Sequence, residues 1–178
     1  MASLAQRMAG AMKADVRTFE EVEKDPAALG QAVAVIVIAG FAALIGNIFR
    51  DGLAGGLGNL LATLIGYAVW AGLVVLIGTK VMPEPTTKAD FSEAFRVVGF
   101  AASPGVFYVI AIIPFLGPLI STCISIWMLV VMVVAVRSVL DYTSTARAFV
   151  VCLIGFVVYL ILYLMVLLPL LTARAILG

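Results

Sequence analysis

Five stretches of the chain run for 17 to about 25 residues with little or no charge, and charge returns only in short bursts between them. About 20 apolar residues cross the hydrocarbon core of a bilayer as a helix. The pattern therefore predicts transmembrane helices over residues 30–49, 57–81, 91–113, 119–136 and 148–171. Before them, Leu4, Met8, Met12, Val16, Phe19 and Val22 recur every three or four positions among Arg7, Lys13, Arg17, Glu20, Glu21 and Lys24. That spacing predicts one amphipathic helix. It either lies in the headgroup plane or covers the protein's own bundle, and its mixed charges favour the cover. The fold expected is all-α: an N-terminal amphipathic helix (1–25) and a five-span membrane domain (26–178).

Local signals set the joints. Asp25-Pro26 has the form of a helix N-cap followed by proline at the first helical position. Arg50-Asp51 and the glycines through Gly58 predict a turn between spans one and two. In span two, Ala54, Gly58, Ala62 and Gly66 stand four apart and share one face, which invites close helix approach. Gly58, Ala62 and Gly66 are the candidate packing face, against another span or in a dimer. Pro83 and Pro85 end span two. Asp90 and Glu93 have the spacing of a capping box at the start of span three, with Arg96 one turn further in. Pro104 predicts a kink there, its freed carbonyl within reach of Ser103. Only residues 97–113 of this span are free of charge, near the lower limit for crossing. Ser121, Thr122 and Ser125 are expected to bond back to their own helix, and Thr143 or Ser144 to cap span five.

Composition narrows the chemistry. Hydrophobic residues make up 64% of the 178 positions and charged residues 12%, with a mean hydropathy of +1.21. Histidine does not occur, which removes the commonest general base, haem and zinc ligand and intramembrane proton carrier. The net charge of +1 and the lack of a basic run argue against nucleic-acid binding. Cys123 and Cys152 fall inside spans, where a thiol behaves as a small apolar residue. No nucleotide loop, zinc-ligand spacing or nucleophile elbow is present. No catalytic, metal or cofactor-binding residues are assigned and no cofactor is expected. The first 25 residues form an amphipathic stretch of mixed charge where a signal peptide would be basic and then apolar, so insertion is expected to rely on span one.

Lysine and arginine count the topology. Four lie before span one, three around the loop between spans two and three (Lys80, Lys88, Arg96) and two between spans four and five (Arg137, Arg147), against Arg50 and Arg174 on the other side. By the positive-inside rule the N-terminus is cytoplasmic and the C-terminus outside. Asp90, Glu93, Arg96, Arg137 and Asp141 then share the cytoplasmic rim and form a candidate polar cluster. Arg137 is expected to pair with Asp141 four residues on, or across the bundle with Asp90 or Glu93.

The run Phe91-Ser-Glu-Ala-Phe-Arg-Val-Val-Gly-Phe-Ala-Ala-Ser-Pro104, followed by Ile113-Pro-Phe-Leu-Gly117, Ser125-Ile-Trp127, Ala135-Val-Arg-Ser-Val-Leu-Asp141 and Thr145-Ala-Arg-Ala148, resembles bacterial Yip1-domain proteins. The resemblance implies a five-span integral membrane protein with a cytoplasmic N-terminus, here in the bacterial inner membrane. Eukaryotic relatives are associated with vesicle traffic and Rab-type GTPases. Their long N-terminal region and its tyrosine-glycine motifs have no counterpart in these 178 residues, so GTPase binding is not expected to carry over. The expected function is non-enzymatic: association with lipids, with further copies or with a larger membrane complex, as accessory subunit or organiser. The alternative is a small transporter or channel whose path passes Pro104, Asn47, Asn59 and the Arg96/Arg137 cluster. A lipid-modifying enzyme would need convergent arginine and carboxylate groups at a headgroup-sized pocket.

Overall fold

The computed structural model describes residues 2–177, with side chains through residue 165. Among them the order is α1 (Leu4–Met12), α2 (Val16–Lys24), α3 (Ala28–Gly46), α4 (Ile48–Leu76) with a π turn (Ile77–Val81), α5 (Phe91–Phe100) with a 3-10 segment (Ser103–Ile112), α6 (Gly117–Val139) and α7 (Thr145–Leu177). The five helices long and apolar enough to cross a bilayer are Ala28–Gly46, Ile48–Val81, Phe91–Ile112, Gly117–Val139 and Thr145–Met165. The all-α five-span bundle is thus present. The part of the fifth expected span beyond Met165 lies where side chains are not described.

Two expectations at the joints need correction. The N-terminal region is two helices rather than one, because Ala14 adopts φ 55° and the Asp15 carboxylate caps α2 by accepting from Arg17 N. The glycine-rich stretch after Arg50 is helix rather than turn. Chain reversal happens at Asn47, whose side-chain amide donates to Ala43 O at 2.9 Å and closes α3. α4 then begins at once, broken only at Gly52 (φ 66°), where the left-handed backbone suits a residue without Cβ.

Span three is two segments of different pitch. Asp90 and Glu93 form the capping box, each side chain accepting from the other's backbone N–H. Pro104 does not bend a continuous α-helix but sits in the first turn of the 3-10 segment, where its missing N–H costs nothing. The carbonyl four residues back, Phe100 O, receives the Ser103 hydroxyl at 2.6 Å. Ten α residues at about 1.5 Å and ten 3-10 residues at about 2.0 Å give a contour of about 35 Å, which resolves the apparent shortness of this span.

The core lies where α3, α5 and the 3-10 segment meet. Val35, Ile36, Val97, Val98 and Phe100 have no exposed surface. Small residues make that contact close. A Cβ on Gly99 would stand 2.8 Å from the Ala32 Cβ, one on Gly105 2.8 Å from the Ala39 Cβ, and one on Gly46 would collide with the Tyr108 carbonyl. Ala32, Ala39 and Gly46 recur every seven residues, so α3 presents them as one seam.

Candidate functional site

Charged residues gather at one end of the bundle. The N-terminal hairpin and the loops 82–90 and 140–144 meet there, while the α3–α4 turn and the 113–117 turn occupy the other end around a shared cavity. α2 seals the first end, with Phe19 and Val22 fully buried against α5 and α6. Arg7 ties the hairpin shut. Its guanidinium, almost without exposed surface, reaches Glu21 at 2.8 Å, Asp25 at 2.7 Å and the Gln31 amide oxygen at 2.9 Å. Arg7 thereby holds the Asp25 carboxyl below the usual carboxylate range. On the far side of the hairpin, the Trp127 indole N–H donates to Met12 O at 2.9 Å and its ring stacks on Phe107.

The five residues expected to form a polar cluster share this end without pairing. Arg96 is buried, and its guanidinium donates to Val22 O at 3.0 Å, to Glu23 O and to Ser92 Oγ at 2.7 Å. The carbonyls are those of the last turn of α2, where unsatisfied C=O groups and the helix dipole favour a cation. Arg137 donates to Tyr142 O at 3.2 Å, Thr143 O at 3.4 Å and Thr145 Oγ1 at 3.0 Å. The expected Arg137–Asp141 pair does not form, because α6 ends at Val139 and Asp141 turns to φ 51°, off the helix face. Asp90 and Glu93 are engaged in their capping box, and neither meets Arg137.

A different ion pair fastens the loops. Glu84 accepts from Arg147 at 2.9 Å and from the Thr143 backbone N–H at 3.2 Å, and Thr143 followed by Arg147 lowers its pKa. Thr86 and Thr87 hydroxyls donate to Asp141 O and Leu140 O. The buried Tyr142 hydroxyl donates to Met82 O at 2.6 Å, capping the π turn. Glu84 and Arg147 stand 63 positions apart, so spacing gave no signal for them; two prolines flanking a lone acid in a loop were the only cue.

The carboxylates left over are Glu20, Glu23 and Asp141. Burial pushes the Glu23 carboxyl up to about 7, with Asp141 and Glu93 adding to the effect. Beside them an open cavity of about 270 Å³ lies between α2 and the end of α6, lined by Val16, Glu20, Arg137, Ser138, Asp141 and Tyr142.

The small-residue face of α4 is mostly unfilled. Ala54, Gly58 and Ala62 are exposed, a Cβ on Gly58 would meet nothing within 4 Å, and Asn59 beside them is exposed too. Only Gly66 is packed, its Cβ position 2.8 Å from the Tyr159 hydroxyl. The conduction path past Pro104, Asn47 and Asn59 toward Arg96 meets a filled centre: Pro104 is buried and the fully buried Val35, Ile36, Val97, Val98 and Phe100 stand between. Asn47 and Asn59 line a cavity of about 100 Å³ between α3 and α4, beside Arg50 and Asp51.

Comparison with curated proteins and with solved structures finds no match. The Yip1 domain family matches over residues 9–165, from the second half of α1 into α7. Members of that family are membrane proteins, non-catalytic and working in complexes. With five apolar helices and a match over most of its length, the chain belongs to the Yip1 family of multi-pass membrane proteins.

Proposed function

We propose that this protein works by association within the bilayer, without catalysis, as an accessory subunit or organiser of a membrane complex. The observation that carries the reading is the open face of α4. Without a hydrophobic drive between helices in lipid, close packing of small residues and interhelical amide bonds hold spans together. Ala54, Gly58 and Ala62 offer the first and are not covered within the chain, and Asn59, exposed at the rim of the α3–α4 cavity beside them, offers the second. An amide at membrane depth favours a polar partner. The location we propose is the bacterial inner membrane, with the N-terminal hairpin and the Glu84–Arg147 loops in the cytoplasm. The nine-to-two distribution of basic residues supports that side.

The test is gentle extraction of the full chain from its native membrane, followed by mass determination. Retention of a second copy or another membrane protein is the expected result, lost in Gly58→Leu. A lone monomer that retains neither protein nor lipid overturns the reading.

A further inference from the structure

The cavity between α2 and α6 goes beyond that reading and stands on different residues. It holds charges of both signs that do not neutralise one another. Glu20 and Asp141 have no cation within 4.0 Å among the described residues, and neither does Arg137 have a carboxylate. Arg137 commits three of its five N–H donors to Tyr142 O, Thr143 O and Thr145 Oγ1, which leaves two. Ser138, nine-tenths buried, contributes its edge to the wall of the same cavity, with its hydroxyl oxygen fully buried.

We propose that this cavity binds an ethanolamine phosphodiester, the headgroup of an aminophospholipid. The ammonium lies between Glu20 and Asp141, and the phosphate takes the free Arg137 N–H groups. A primary ammonium donates three hydrogen bonds to carboxylates and a phosphate accepts from a guanidinium, so one short zwitterion answers both carboxylates and the arginine. Position selects the lipid over a free solute. Arg137 lies in the last turn of α6 at the edge of its apolar run, and exposed Val16 adds an apolar lip, which is headgroup depth for an arginine at the end of a span.

The full chain is placed in discs of phosphatidylethanolamine, phosphatidylcholine and phosphatidylglycerol in equal amounts with the same acyl chains, and the lipids it retains are measured by native mass spectrometry. The expected result is enrichment of phosphatidylethanolamine over phosphatidylcholine, whose trimethylated nitrogen cannot donate. Glu20→Gln, at an exposed side chain without a bond in the fold, lowers the enrichment about tenfold, the loss of one charge-assisted hydrogen bond. Asp141→Asn does the same while keeping a residue type that tolerates φ 51°. Free phosphoethanolamine is added in a second arm. Failure to displace the lipid fixes the lipid as the source, and displacement together with equal retention of all three lipids refutes it. Equal retention of phosphatidylethanolamine and phosphatidylcholine, or full retention in Glu20→Gln, also overturns the proposal.

Discussion

Two seams of small residues run along neighbouring helices and meet opposite fates. On α3, Ala32, Ala39 and Gly46 are buried against α5 and the 3-10 segment, so closely that the Gly46 position excludes any side chain. On α4, Ala54, Gly58 and Ala62 face outward, and Gly58 has room for one. The motif is the same in kind: small residues at helical spacing permit close approach on either helix. What differs is the supply of partners. The 3-10 segment is thinner than an α-helix and runs beside α3, whereas the first half of α4 lies at the bundle edge with Leu53, Leu57 and Leu61 exposed. A small-residue stripe thus licenses contact, and topology decides whether the contact is internal.

Substitutions at equivalent points separate the two seams. Gly46→Leu drives a side chain into a backbone carbonyl and is expected to cost about 3 kcal/mol or more, seen as lost folded yield in detergent. Gly105→Ala, which crowds Ala39, is expected to cost about 1–2 kcal/mol in thermal unfolding. Gly58→Leu is expected to change stability by no more than about 0.5 kcal/mol, as at any open site, while removing association. If Gly58→Leu and Gly46→Leu destabilise alike, the contrast between the seams is false.

Two further expectations come from the charged end, where the hairpin covers the same core. Arg7→Met removes the cation that lowers Asp25, so it lowers the melting temperature at pH 7. Asp25 contributes that stability only while ionised, so the difference from wild type shrinks as pH falls below the ordinary aspartate value of 3.8. Glu23→Gln has the opposite sign and a smaller effect. Glu23 in the folded chain titrates near about 7, against 4.5 ordinarily, so folding loses stability as pH rises between these values. The glutamine variant is therefore expected to match wild type near pH 4.5 and to gain over it by pH 8. Asp141, Glu93 and Glu20 oppose the Glu23 charge and Lys24 favours it; a gain that does not grow with pH refutes the assignment.

The sequence was most legible where the bilayer or a backbone rule acts locally. Charge-free runs located the spans, Asp90 and Glu93 announced their capping box three residues apart, and Ser103 was placed to serve the carbonyl that Pro104 abandons. It was least legible where the partner is distant or the backbone chooses between near-equal states. Arg96 carries no mark that its guanidinium will cap α2 from 73 positions away. Nor does Ala14 look like a residue with positive φ, since alanine is a helix former and the break is set by the capping of α2 and by hairpin packing. The 3-10 pitch after Pro104 was invisible for the same reason: its apolar residues suit either helix, and the fit to the α3 seam decides.

The most direct test of association through α4 is the mass of the complex taken from native membranes into polymer-bounded discs, compared between wild type and Gly58→Leu, with the melting temperature of each. The account predicts a wild-type mass above that of one chain, and a Gly58→Leu protein that is monomeric and melts with wild type. A Gly58→Leu complex of wild-type mass would contradict it.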